Sequence, residues 1–386
     1  MSRVLTHVSL IGFATALSAR AVDPIIPQIA TDLAVSPERV ALLSSAFALP
    51  FAVVQPILGP VADSFGKIRL MFICLLVLLA ASLVCAAAPG FPVLMGGRIV
   101  AGIATGGIFP VGLAIVGDLV PVGQRQIAIG RLLAVVISGN LLGASMSGAL
   151  GDLFGWRTVF LAVMAGGLFA LVSALVGLRG VVVGQQLGFD VRSIVSSYRG
   201  IFANPRAKVC YGAVFADGIA VFGAFPFVAL LLLASGEGRA SIAGLVLAGF
   251  SVGGVAYSLA VPMLLGRWGP GHLMVGGGVL AGVALSLAAL GPSWPLQFLA
   301  FALLGVGFYT FHASIQVEAT ELSTKSRGAA MSLHSLFFFL GQATGPVLYG
   351  IGFAQVGSGV SLVAGAAIML ALGLVCARLL ARPRGM

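Results

Sequence analysis

Six ionisable side chains stand inside long apolar runs instead of between them. Arg20 and Asp23 occur in Arg20-Ala-Val-Asp23-Pro24-Ile-Ile-Pro27, Arg98 in Gly97-Arg98-Ile-Val-Ala-Gly102, and Asp217 in Val214-Phe-Ala-Asp217-Gly-Ile-Ala. His312 and His334 follow in two later runs. Groups of this kind can hold and release a proton or pair with a charged solute, and each is expensive to keep away from water. Asp217 has only apolar sequence neighbours, so desolvation penalises its charged form and makes it a candidate proton carrier. The competing reading is an acid hydrogen-bonded locally, beside a helix irregularity at Gly218. Arg20 and Asp23 lie in the far half of the first run and Arg98 near the start of the fourth, which runs the opposite way. At ~1.5 Å of rise per residue the three reach similar depths. An Asp23–Arg98 pair would lower the cost of both; the competing reading is that Arg20, Asp23 and Arg98 merely form a fixed salt bridge locking the N-terminal half. The two histidines are either proton-coupling groups or hydrogen-bond partners between helices. Phe222, Phe225 and Tyr309, with Asn140, Gln316 and Gln342, are candidates to line an apolar cavity.

The elements that must position these residues follow from composition. Of 386 residues, 59% are hydrophobic and only 8% charged, with a mean hydropathy of +1.12, far from the roughly 25% charged of soluble domains. About 20 largely apolar residues cross a bilayer, and the chain offers twelve such runs, from near 5–30 to near 357–381. The expected fold is therefore all-α and membrane-embedded, with no room for a separate enzyme module. Cys74, Cys85, Cys210 and Cys376 all fall in apolar runs without C-x-x-C spacing, which points to small buried side chains and to neither a metal site nor a disulfide framework. No phosphate loop, nucleophile elbow, zinc or dinucleotide fingerprint occurs in a credible context, so no cofactor is expected.

The net charge of +10 is distributed in alternate loops, as an orientation signal and not a nucleic-acid surface. With both termini inside, sixteen Lys and Arg fall on the cytoplasmic side and three, Arg39, Arg157 and Arg239, on the other. Arg3, an apolar stretch and Ala19-x-Ala21 imitate a cleavable signal, but cleavage there would remove the first of twelve runs. The long connection 179–206 carries Val191, Ile194, Val195, Tyr198, Ile201 and Phe202 at helical spacing, with Arg192 and Arg199 off that stripe. This describes an amphipathic helix on the cytoplasmic bilayer surface. The expected organisation is a six-helix bundle over 1–178, a linker over 179–206 and a second six-helix bundle over 207–386.

The two halves repeat. Gly139-Asn-Leu-Leu-Gly143-Ala-Ser-Met-Ser-Gly148 aligns with Gly341-Gln-Ala-Thr-Gly345-Pro-Val-Leu-Tyr-Gly350 at an offset of 202. Asp118-Leu119 aligns with Glu321-Leu322, and Gly66 with Gly269, both at 203. One further gap brings Arg125 onto Arg327. An offset of about half the chain, kept across several helices, indicates two pseudo-symmetric halves made by duplication.

The stretch Gly59-Pro-Val-Ala-Asp63-Ser64-Phe-Gly66-Lys67-Ile-Arg69 resembles the loop between helices 2 and 3 of the major facilitator superfamily, G-x-x-x-D-x-x-G-[RK]-x-[RK]. It departs only at Ser64, where the family usually has a basic residue. Arg98-x-x-x-Gly102 is similar to the core of the helix-4 motif associated with proton coupling in that family's antiporters. Gly130, Gly139, Gly143 and Gly148 resemble the glycine-rich helix-5 motif of its drug/proton antiporters, with Ala144 in place of the motif's proline. Gly345-Pro346 supplies that proline in helix 11, and the glycines, including Gly341, are packing and hinge candidates. The resemblance implies a twelve-helix secondary transporter, most similar to the bacterial drug/proton antiporters, whose halves rock around a midplane cavity. It further implies that Asp63 latches against the start of helix 11, whose free N–H groups favour an anion. Asp118 would pair with Lys67, Arg69 or Arg125, and Glu318 would join Glu321, Lys325 and Arg327 in a cytoplasmic gate. The expected partners are a small-molecule substrate, protons and the bilayer of a bacterial inner membrane, with a monomeric chain. Two other readings compete: a proton symporter or uniporter for an anionic metabolite bound by Arg20 or Arg98, and a non-transporting membrane sensor or scaffold.

Overall fold

The computed structural model describes residues 3–181, 191–291, 293–323 and 327–380, with the side chains of residues 3, 59–60, 63, 122–127, 130, 133, 191–195 and 265–266 outside that description. Asp63, Arg125, Arg192 and Lys325 of the sequence reading therefore lie outside the described side chains, as do Gly59 and Gly130. Among the described residues twelve helices are long and apolar enough to cross a membrane. They are α1 (Val4–Asp32), α2 (Pro37–Phe65), α3 (Lys67–Ala86), α4 (Phe91–Leu119), α5 (Val122–Phe154) and α6 (Trp156–Gly177), then α7 (Pro205–Ala234), α8 (Ala240–Leu264), α9 (Arg267–Ala289), α10 (Trp294–Thr320), α11 (Arg327–Val356) and α12 (Ser358–Leu379). The chain divides into two compact units, Met1–Asp190 with α1–α6 and Val191–Met386 with α7–α12. A short helix, Val191–Phe202, precedes α7 in the second unit. Its Ile201 is buried and its Phe202 ring meets Tyr211 and Phe337 edge-on at 5.9 and 6.4 Å.

Glycine decides which helices touch. In the first unit, a Cβ on Gly102 of α4 would stand 2.2 Å from the Phe47 carbonyl oxygen of α2, and one on Gly106 2.6 Å from that of Phe51. A Cβ on Gly139 of α5 would stand 2.7 Å from the Phe13 carbonyl oxygen of α1, and one on Gly143 2.5 Å from that of Leu17. Backbones this close accept no side chain between them. The second unit repeats the contacts. Gly305 of α10 meets Phe250 of α8, Gly341 of α11 meets Phe215 of α7, and Gly345 meets Ile219. The partners are spaced by the same offsets as the glycines: Phe13 to Phe215 and Leu17 to Ile219 at 202, Phe47 to Phe250 at 203. The duplication read from glycine spacing is thus a duplication of helix contacts.

Among the described residues α4 is interrupted at Gly107, between Phe91–Gly106 and Ile108–Leu119, and two equivalent spans, α1 and α7, are broken beside a proline. α1 is helical over Arg3–Ala19, turns at Asp23–Ile25 around Pro24, and resumes over Ile26–Asp32. α7 is helical over Pro205–Asp217, widens to a π turn over Gly218–Phe222, tightens over Phe225–Phe227 around Pro226 and resumes over Val228–Ala234. Proline removes a donor and clashes with the preceding turn, which breaks each ladder. The freed carbonyls must be satisfied within the protein, because lipid offers no donors. Arg98 donates from Nη1 to the Ser18 oxygen at 3.1 Å, and the Ser147 hydroxyl donates to that of Ala21. In the second unit the Tyr349 hydroxyl donates to the Ala220 oxygen at 2.8 Å. Ser147 and Tyr349 are themselves 202 apart.

The outer surface is apolar: Val176, Leu259 and Leu290 are each 80% exposed, as side chains facing hydrocarbon are. All four cysteines are buried free thiols.

Candidate functional site

The first unit holds a charged cluster at the break in α1. Asp23 is buried; its Oδ1 accepts from the Ser44 hydroxyl of α2 at 2.6 Å, and its Oδ2 lies 3.6 Å from Arg20 Nη1. Arg98 is among the largest fully buried side chains. Its guanidinium donates to the carbonyls of Ser18 and, from Nε at 3.5 Å, Leu43, and its carbon lies 4.4 Å from the Phe47 ring centroid. Its Nη2 has no hydrogen-bond partner among the described residues. The three residues are brought together, but not as the expected Asp23–Arg98 contact. Arg20 takes the carboxylate, while Arg98 acts on it only through space. The reason is the break itself: the opened carbonyls of α1 compete for the guanidinium.

The second unit holds a different cluster at the break in α7. Asp217 is wholly buried, and its Oδ2 lies 2.8 Å from His312 Nδ1 of α10. Its Oδ1 has no partner among the described residues. The imidazole of His312 stacks on Phe308 at 4.8 Å and lies 4.5 Å from the Phe338 ring of α11. His334 of α11 is buried and meets His312 edge-on at 5.0 Å, and its Nε2 has no partner among the described residues. The π turn begins at Gly218, the residue after Asp217, where a Cβ would stand 2.5 Å from the Phe338 carbonyl oxygen. Asp217 thus lies at mid-span, beside a helix irregularity and bonded to a titratable partner on another span.

Of the cavity candidates, Phe222 and Phe225 are buried in an aromatic cluster with Phe250, Phe308 and Phe338, at centroid distances of 4.8 to 5.5 Å. Tyr309 is half-buried and stacks 6.4 Å from Tyr257; Gln342 is buried, Asn140 half-buried and Gln316 exposed. Among the gate candidates Asp118 bonds Lys67 at 2.6 Å, and Arg327 bonds Glu321 at 3.2 Å. Glu318 bonds Arg206 of α7 at 2.7 Å, and the same guanidinium caps the Leu380 carbonyl. Arg69 is exposed and Gly148 buried. Pro346 is buried in α11 one residue after Gly345, whose Cβ would stand 2.6 Å from Gly223. Sequence reasoning missed Ser44, Ser147 and Tyr349. The last two were visible as hydroxyls at equivalent positions of the aligned glycine segments.

Comparison with known proteins places this geometry. The family model described as Major Facilitator Superfamily matches residues 8–238 and 210–385. The MFS-type transporter TOXA of Cochliobolus carbonum is 35% identical over 148 residues, 38% of this chain and 27% of that protein, so the match spans about a quarter of that relative's length. Multidrug resistance protein 1 of Bacillus subtilis (strain 168) is 23% identical over 336 residues, 86% of this chain and 85% of that protein. The crystal structure of a bacterial homologue of the human lysosomal transporter Spinster shares the fold at a TM-score of 0.77, with 19% identity, covering 100% of this chain and 99% of that one. With twelve apolar spans among the described residues, in two units that share a repeated set of glycine contacts, and the family model matched along nearly its whole length, this chain belongs to the Major Facilitator Superfamily.

Proposed function

We propose that this transporter is a secondary active one that exports small amphipathic or drug-like solutes in exchange for protons, by alternating access. It sits in a bacterial inner membrane with both termini in the cytoplasm. The observation that carries the reading is the Asp217–His312 pair, an acid and an imidazole on separate spans, bonded in the protein interior at the break in α7. A scaffold gains nothing from keeping such groups, whereas a proton-coupled carrier needs one that can change charge. The multidrug resistance protein of B. subtilis, similar over most of the chain, supports drug-like solutes.

Asp217→Asn tests it. In proteoliposomes the variant should lose proton-driven movement while retaining substrate exchange, because an amide keeps the shape of the site but cannot carry a proton. Full proton-driven transport by that variant would remove Asp217 from the mechanism. A second reading, uptake of an anionic metabolite, draws on Arg20 and Arg98 outnumbering Asp23 in the first unit. Efflux of a cationic dye from energised vesicles, run beside an anion-uptake assay, separates the two.

A further inference from the structure

We propose that His312 is the conduit through which the buried carboxyl of Asp217 gains and loses its proton, the imidazole accepting at Nε2 and delivering from Nδ1. The inference rests on the proton-coupled reading of this site and assigns its parts. Asp217 has no exposure, so no water reaches either oxygen directly. One oxygen, Oδ2, touches a titratable group, His312 Nδ1 at 2.8 Å, while Oδ1 touches none among the described residues. His312 keeps 12% of its side chain exposed, and with Nδ1 bonded to Asp217 its Nε2 is the nitrogen left to take up a proton. The accessible member of the pair is therefore the imidazole, and the inaccessible one is the acid.

The transfer balances without moving the ring. In the deprotonated site Asp217 is a carboxylate and His312 is the neutral tautomer whose Nδ1–H donates to Oδ2. A proton adds at the Nε2 lone pair to give an imidazolium beside the carboxylate; the Nδ1 proton then passes to Oδ2. The product is a neutral carboxylic acid and a neutral imidazole protonated at Nε2, and release is the reverse. A ring rotation is neither needed nor available, because Phe308 lies against one face and Phe338 crowds the ring from α11.

The groups facing the pair fit a single mobile proton. Among the described residues no Lys or Arg pairs with Asp217 or His312. His334 faces from α11 at 5.0 Å, and a second imidazolium there would repel the first. Cys376 of α12 lies within electrostatic reach of Asp217, and Glu318, farther along α10, is engaged by Arg206.

His312→Phe keeps an aromatic ring between Phe308 and Phe338 and removes both ring nitrogens. Difference infrared spectroscopy of the purified full-length protein after a rapid pH jump reads the carboxyl stretch of protonated Asp217, assigned by its loss in Asp217→Asn. The wild-type band should follow the jump, and in His312→Phe it should lag by about a hundredfold or more. In His312→Ala, added imidazole should restore part of the speed, which no purely structural role would allow. Wild-type kinetics in His312→Phe, or no Asp217 band at any pH, overturns the conduit. The two readings fail separately. If Asp217→Asn stops driven transport while His312→Phe protonates at wild-type speed, the coupling stands and the conduit falls. If His312→Phe slows protonation while Asp217→Asn still transports, the conduit stands and the coupling falls.

Discussion

Asp23 and Asp217 are both buried carboxyls, yet their partners give them opposite sensitivities to neutralisation. Asp23 lies beside Arg20 and within electrostatic reach of Arg98, and neither cation can become neutral at any ordinary pH. Asp23→Asn therefore strands buried positive charge and should destabilise the protein by about 3–5 kcal/mol, read as a lowered melting temperature in detergent. Adding Arg20→Gln restores the net charge of the cluster and should recover part of that loss, a coupling that independent sites would not show. Asp217 faces an imidazole that can shed its proton, so Asp217→Asn should melt within about 1 kcal/mol of wild type. Equal destabilisation by the two single variants would refute this contrast. Between α7 and α8, outside the spans, Arg239 holds the Glu237 carboxyl down to about 2 with three hydrogen bonds. Its folded value lies below its unfolded one, so the contribution is complete above about 4.5 and is lost as pH falls through about 2. The acid limb of a melting curve should shift in Glu237→Gln and at high salt, which screens so exposed a pair.

At the scale of the helix, the glycines that set the repeat also set its tolerance. Gly341→Ala places a methyl 2.2 Å from the Phe215 oxygen, and Gly139→Ala places one 2.7 Å from that of Phe13. Overpacking of this kind costs about 1–3 kcal/mol, and Gly341 should suffer more. Gly212→Ala in α7 meets nothing within 4 Å and should raise the melting temperature slightly, by about 0.4–1 kcal/mol of stabilisation. A neutral Gly341→Ala would mean that α7 and α11 pack less closely than described. These glycines were legible in the sequence, because close helix contacts demand small residues at fixed spacing. The breaks in α1 and α7 were legible only as Pro24 and Gly218, since proline marks where a ladder opens but not which side chain closes it. The Asp217–His312 bond was not legible at all. The residues are 95 apart, and which faces of α7 and α10 meet depends on packing such as Phe222 against Phe308, which periodicity in either helix leaves undetermined.

Across the whole chain, the duplication kept the framework and divided the chemistry. At the repeat offsets Asp23 and Arg98 correspond to Phe225 and Phe301, which pack against each other at 5.7 Å. Asp217, His312 and His334 correspond to Thr15, Phe109 and Leu132. Each unit thus fills with uncharged side chains the place where the other keeps its ionisable cluster, which is why a search for repeated charges finds neither cluster. Orientation is the property of the whole chain that the sequence argues most directly and that geometry in one unit does not address. Sixteen Lys and Arg against three predict cytoplasmic termini and a cytoplasmic 179–206 connection. Arg199, in the helix before α7, is exposed and offers trypsin a site there. Trypsin added to inverted membrane vesicles should cut the chain near its middle into two fragments of similar size, whereas right-side-out vesicles should protect it. Detergent-solubilised protein should be cut in either preparation, which shows that the site itself is cleavable. Cleavage from the outside alone would reverse the orientation, and with it the direction from which the proposed exchange would draw its protons.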